Sequence, residues 1–209
     1  MSVGRFIAFE GGEGTGKSTQ ARLLADALAA RGTRAVVTRE PGGTPGGEAI
    51  RNLLLDRDGI DWQPRAEALL FAAARSEHVE RLIRPALAAG TWVICDRFVD
   101  SSRAYQGGGG GLNDADLLDL HRIGSGGLLP DLTVLIAVSP ELVAARLAKR
   151  DGFDSDRIGG RDAAYHARVA AAFGRLAEGE PGRFVLIDGD GDPEQIHQRV
   201  LAAVLDSTA

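Results

Sequence analysis

The chain has 209 residues, is 44% hydrophobic and carries a formal net charge of −5, which suits one domain with one sizeable core. The acidic balance argues against a nucleic-acid polymer as partner, although local basic pockets remain open. Cys95 is the only cysteine and has no internal disulfide partner, no apolar run spans a bilayer, and the N-terminus lacks a signal-peptide h-region; a cytoplasmic location without membrane is expected.

In chain order, residues 5–10 read as a short apolar strand, and residues 17–30 as a helix with Leu23, Leu24, Ala27 and Leu28 at helical spacing. Between them Gly11, Gly12, Glu13, Gly14, Thr15, Gly16, Lys17 and Ser18 fit the phosphate-loop pattern GxxxxGK(S/T). Glycines let the backbone curl so that N–H groups point inward, and the positive end of the new helix adds its field. Lys17 can then reach terminal phosphates, and the Ser18 hydroxyl can ligate magnesium.

Residues 34–38 make a second strand, followed by the loop Arg39-Glu40-Pro41-Gly42-Gly43-Thr44, where a doubly wound fold presents strand ends to ligand. Residues 47–55 read as a short helix and residues 64–89 as a long one that must kink or break near Pro85. On the long helix Leu69, Ala72, Ala73, Ser76, Val79 and Ile83 make the expected core stripe, with Phe71, Arg75 and His78 projecting elsewhere. Phe71 and Arg75 are i and i+4, hence side by side: a ring and a guanidinium that could take a planar base, or an ordinary helix surface.

Residues 91–95 form a third strand ending in Asp96 and Arg97, where a phosphate-loop enzyme keeps the acid that orients hydrated magnesium. The stretch from Ser101 to Gln106 offers hydroxyls, a phenol and an amide for polar ligand edges, and Gly107 to Gly111 is a glycine run. Helices at 113–123, 140–150, 162–177 and 193–205 alternate with strands at 132–138 and 184–187, which argues for a five-stranded parallel sheet covered on both faces. Residues 149–161 mix basic side chains with glycines and suit either a lid over a polyphosphate or a solvated connector. The four histidines lack metal-ligand spacing.

Together these segments resemble the thymidylate kinases: residues 9–19, 38–44, 71–75, 96–98, 101–107 and 130–133 carry the resemblance in order over nearly the whole chain. It implies an α/β P-loop NTPase, a three-layer sandwich with a small lid, all in one nucleoside monophosphate kinase domain over 1–209. The implied reaction is dTMP to dTDP with ATP and Mg2+, for dTTP synthesis. ATP would lie on the loop from Gly11 through Ser18 and Thr19, with Ser18 and Asp96 toward the metal. Phe71 would stack on thymine, Arg75 would bond its O4 edge, Ser102 and Gln106 would approach the base, and Tyr105 would crowd the sugar's 2′ position. Arg97 and Arg51 match contacts to the monophosphate, and Glu13 and Glu40 match acids near the sugar hydroxyl and the acceptor side. Gly14 and Thr15 leave no arginine inside the loop, so Lys17 and Arg97 would act with a lid arginine, Arg150 or Arg157. The resemblance also implies a homodimer. Two departures stand out: the run from Gly107 to Gly111 has no basic residue, and Gly159 follows Ile158 where the family usually has Glu. A kinase of another small acceptor and a noncatalytic nucleotide-binding protein are the alternatives.

Overall fold

Five strands, β1 (Phe6–Glu10), β2 (Ala35–Arg39), β3 (Trp92–Asp96), β4 (Leu132–Ala137) and β5 (Phe184–Asp188), form one parallel sheet in the order β2-β3-β1-β4-β5. The structure is a computed structural model and describes residues 4–149 and 156–207. Inner strands read as unbroken apolar runs because both of their faces are covered. β1 is buried at every position, whereas edge strands β2 and β5 expose Val37 and Leu186.

Alternation along β1 divides the core. Ile7 and Phe9 join Leu24 and Leu28 of α1 (Lys17–Ala29) and Val200 and Val204 of α9 (Pro193–Asp206). Phe6 and Ala8 face the opposite layer with Val79, Ile83 and Phe98. Burying each of these large side chains stabilises the fold by roughly 1.5–3 kcal/mol. Local chemistry fixes the helix starts: Thr44 caps α2 (Pro45–Leu55), Asn113 caps α6 (Asp114–Ser125), Asp162 caps α8 (Ala163–Gly179), and Asp192 with Gln195 forms a capping box on α9. α7 (Pro140–Lys149) completes the order between β4 and α8.

Three expectations change. Near Pro85 the long helix neither breaks nor simply kinks: α3 (Pro64–His78) passes into a π-helical segment, Val79–Ile83, and on into α4 (Arg84–Ala88). The proline ring crowds the carbonyl four residues back, and a widened turn just before it accommodates that loss. Secondly, the stretch after β3, to which the sequence assigned no element, is helical, as α5 (Val99–Ser102) and a second π-helical segment, Arg103–Gly109. Thirdly, α3 is rotated from its expected phase. Leu69 is 56% exposed and Ala73 is exposed, while Glu67, Ala68, Ala74, Arg75 and His78 are buried beside Val79. Its inward face is polar and satisfied by ion pairs, so apolar periodicity pointed the wrong way.

The chain runs from β1 out to the β2 edge, returns to β3, then crosses β1 to reach β4. Sequence order thus reverses beside β1, and the carboxyl ends there bound a crevice. Asp96 is level with Phe9 on one side and with Arg39 on the other, which brings the three following loops to one rim.

Candidate active site

The loop after β1 turns on Gly11 (φ 135°), Gly14 (φ 70°) and Gly16 (φ 95°). At Gly11 a Cβ would stand 2.6 Å from the Ile136 carbonyl oxygen, so both conformation and space require glycine. Gly16 opens α1 in left-handed geometry, and the amides there face an anion site reinforced by the helix dipole. Lys17 folds back over the loop and donates to the carbonyls of Gly12 at 2.6 Å and Gly11 at 3.2 Å. Burial, then repulsion from Arg97, pushes its ammonium down to about 7 against Asp96, Glu10 and Glu13.

Ser18 donates its hydroxyl proton to Asp96 Oδ2, so the two oxygen ligands expected for magnesium are neighbours. A hydroxyl beside a carboxylate fits a hard cation. Among the described residues no three His, Cys, Asp or Glu side chains gather into a metal group.

Arg97, just past β3, adopts φ 71°, a conformation rare outside glycine and held here by its surroundings. Its Nη1 donates to the Gly11 carbonyl at 3.0 Å and the Ser101 hydroxyl at 3.1 Å, and its guanidinium lies 4.8 Å from the Tyr105 ring centroid. Burial opposes the charge, but Tyr105, Asp96, Glu10 and Glu13 outweigh it and hold the guanidinium above its ordinary value. Behind it Glu10, which sequence reasoning did not single out, accepts from the Phe98 amide (2.8 Å), the Ser101 amide (3.0 Å) and the Ser101 hydroxyl (2.6 Å). Burial, then Asp100, pushes its carboxyl up to about 7 despite Arg97 and those bonds.

An open cleft lies beside the loop, and its lining includes Glu13, Glu40, Arg51, Phe71, Arg75, Arg97, Ser102, Tyr105 and Gln106. The cleft thus brings together the side chains that the resemblance implied for a monophosphate, along with Pro41, Leu55, Phe98, Ser101, Asp156 and Ile158. Arg75 donates from Nε to Glu40 Oε2 at 2.7 Å and from Nη2 to Ser102 Oγ at 2.9 Å and the Phe98 carbonyl at 3.2 Å. Glu40 Oε1 pairs with His78 Nδ1 at 3.0 Å, and the other ring nitrogen meets Thr38 Oγ1 at 2.7 Å. Both Glu40 oxygens have protein partners, and through one of them it braces Arg75; a buried guanidinium needs such a partner. The buried Tyr105 side chain has the Arg97 guanidinium as its charged neighbour.

Arg150 lies outside the described residues. Arg157 donates from Nε to the Leu54 carbonyl at 2.9 Å and from Nη2 to Glu67 Oε2 at 2.5 Å, so in this structure it is tied to the α2–α3 side. Gly159 lies against the loop acid: a Cβ there would stand 2.6 Å from a Glu13 carboxylate oxygen. The glycine run serves packing, since a Cβ on Gly108 would overlap Ala172 and one on Gly109 would stand 2.6 Å from the Tyr165 ring. Arg146 on α7 was also missed. It donates to the Gly189 carbonyl at 2.9 Å and approaches those of Thr15 and Gly14 at 3.4 and 3.5 Å, joining the phosphate loop to the turn after β5. Nothing in its local sequence separates it from the other arginines.

Comparison with known proteins agrees with this geometry. The family model described as thymidylate kinase matches residues 9–200. A thymidylate kinase of Rhizorhabdus wittichii is 55% identical over 203 residues, covering 97% of this chain and 98% of the relative. One from Bradyrhizobium diazoefficiens is 48% identical over 204 residues, covering 97% and 90%. The crystal structure of thymidylate kinase from Ehrlichia chaffeensis superposes with a TM-score of 0.78 at 32% identity, covering 97% of this chain and 99% of that one.

Proposed function

The chain belongs to the thymidylate kinase family and phosphorylates dTMP, and on that premise we propose that ATP is the donor, with magnesium held at Ser18 and Asp96. The cleft supports this reading best: a ring for stacking at Phe71, a braced guanidinium at Arg75, an amide at Gln106 and a second guanidinium, Arg97, bonded to the phosphate loop itself. The first three suit a planar base with polar edges, and the last suits a phosphate.

The acceptor phosphate has a second pKa of about 6, so at neutral pH it is mostly dianionic and needs little general-base help. Two polyanions must instead be brought together for in-line transfer. Arg97 meets the acceptor phosphate, and Lys17 leaves its loop carbonyls to hold the donor's outer phosphates. Ser18 and Asp96 would hold magnesium, whose positive charge would offset that of the phosphates. Of the two arginines considered for the transferring group, the ties of Arg157 to Leu54 and Glu67 favour Arg150. Arg51, which donates to the Pro41 carbonyl at 2.8 Å, is the second acceptor-side cation, and Glu13 faces the sugar.

The whole chain then works as one kinase domain with a lid at about residues 149–161. We assign it to the cytoplasm as a homodimer; among the described residues no helix is long and apolar enough to cross a membrane. The test is ADP release by the purified protein with ATP and magnesium against dTMP, dUMP, dCMP, UMP and shikimate. Strongest release with dTMP is expected, with dUMP second, because one methyl in an apolar pocket discriminates by only about 10–200 fold. Release with shikimate alone, or none while both nucleotides bind, would overturn the assignment.

A further inference from the structure

Glu67 is buried on α3 one turn before Phe71 and two before Arg75, on the face that lines the cleft, and the reaction chemistry gives it no part. Its side chain is 2% exposed and takes three donors: Gln106 Nε2 on Oε1 at 2.9 Å, and Arg157 Nη2 and Arg161 Nη2 on Oε2 at 2.5 and 2.7 Å. A carboxylate clamped by two guanidiniums offers only lone pairs. The Gln106 amide must therefore turn its NH2 toward Glu67, which leaves its carbonyl oxygen for the cleft.

Arg75 has Nε and Nη2 engaged and meets a ligand with Nη1, a donor. A donor at Arg75 and an acceptor at Gln106 complement the O4 and N3–H of a thymine or uracil imide. Cytosine presents the reverse, an amino group and a bare ring nitrogen. We propose that Glu67 is a positioning residue that fixes the Gln106 amide and thereby makes the site selective for imide bases over cytosine. This rests on the dTMP reading above.

A glutamine at 67 can donate as well as accept, so it frees the Gln106 amide to turn over. Steady-state kcat/KM with dTMP, dUMP and dCMP separates the cases. Glu67→Gln is expected to lower the dTMP-to-dCMP ratio about tenfold, in line with one mispaired buried polar contact, and to leave the dTMP-to-dUMP ratio within about twofold, since both bases carry the imide. Both ratios unchanged, or both shifted together, would mean that Glu67 only supports the fold. Gln106→Met removes the amide without touching the ion pairs and should reproduce the loss of selectivity if Glu67→Gln does not fold; an unchanged dTMP-to-dCMP ratio there overturns the proposal. A wild-type enzyme as active on dCMP as on dTMP would remove the acceptor assignment first, and this inference with it.

Discussion

Glu10 and Lys17 flank the phosphate loop, and burial drives both toward about 7 from opposite sides, a carboxyl raised and an ammonium lowered. For Glu10 the native protein keeps a proton that the unfolded chain releases near 4.5. The stabilisation from the neutral carboxyl is fully present below that value and is lost as pH climbs through about 7. The window corresponds to roughly 3 kcal/mol. Glu10→Gln keeps an oxygen for the Phe98 and Ser101 amides, so its melting temperature should exceed that of the wild type at about pH 8 and match it at about pH 5. A gap of equal size at both pH values would refute the assignment. Lys17 behaves in the opposite sense: the unfolded chain holds the proton up to 10.5, so stability rises with pH from about 7 to that value. A bound polyphosphate restores the charge. At about pH 8 the phosphates of ATP are already stripped, so titration calorimetry in buffers of different ionisation enthalpy should register uptake of close to one proton, and none with Lys17→Arg. Zero uptake by the wild type would show that Lys17 stays charged throughout.

At the scale of elements, the second π-helical segment does what a loop could not: it holds Tyr105 and Gln106 against α8 through glycines that admit no side chain. Gly109→Ala drives a methyl into Tyr165 and Val169, and such overpacking costs about 1–3 kcal/mol. Thermal unfolding should show that loss, and the KM for dTMP should rise several-fold while that for ATP holds. Equal changes in both constants would mean that the segment does not specifically serve the acceptor side. A glycine run reads in sequence as a breaker, and this helical segment was invisible there because its reason lies some sixty residues away in α8. The inner strands were legible since a parallel strand covered on both faces is an apolar run and little else. So was the phosphate loop, whose residues are contiguous. The phase of α3 was not, because Glu67, Arg75 and His78 occupy its buried face and their partners, Gln106, Glu40, Ser102 and Thr38, come from other elements. Glu10 escaped notice for a similar reason: in sequence it is only the last residue of a strand, and its role depends on Ser101 across the sheet end.

Over the whole molecule, the two faces of α3 look in different directions. One carries Phe71 and Arg75 into the cleft; the other exposes Leu69 beside α6, where Leu118 and Ile123 are 36% and 74% exposed. Large apolar side chains exposed on neighbouring helices are what a partner surface offers, and a second copy on this side of the molecule is the arrangement we favour for the homodimer proposed above. The consequence reaches the active site, because a subunit seated on the outer face of α3 would hold the helix that reads the base. Sedimentation velocity should then give a mass near twice the 22.0 kDa of one chain. Leu69→Glu with Ile123→Glu should halve it, since burying two added charges in an apolar contact is strongly unfavourable. As Phe71 and Arg75 sit on the released helix and Lys17 does not, the monomer should show a KM for dTMP raised several-fold and a KM for ATP unchanged. A wild-type protein that sediments as a monomer, or a charged variant that stays dimeric, would move the partner surface elsewhere. A monomer with undiminished dTMP binding would show that α3 keeps its place without a second subunit, held by α2, α6 and its buried polar contacts within the chain.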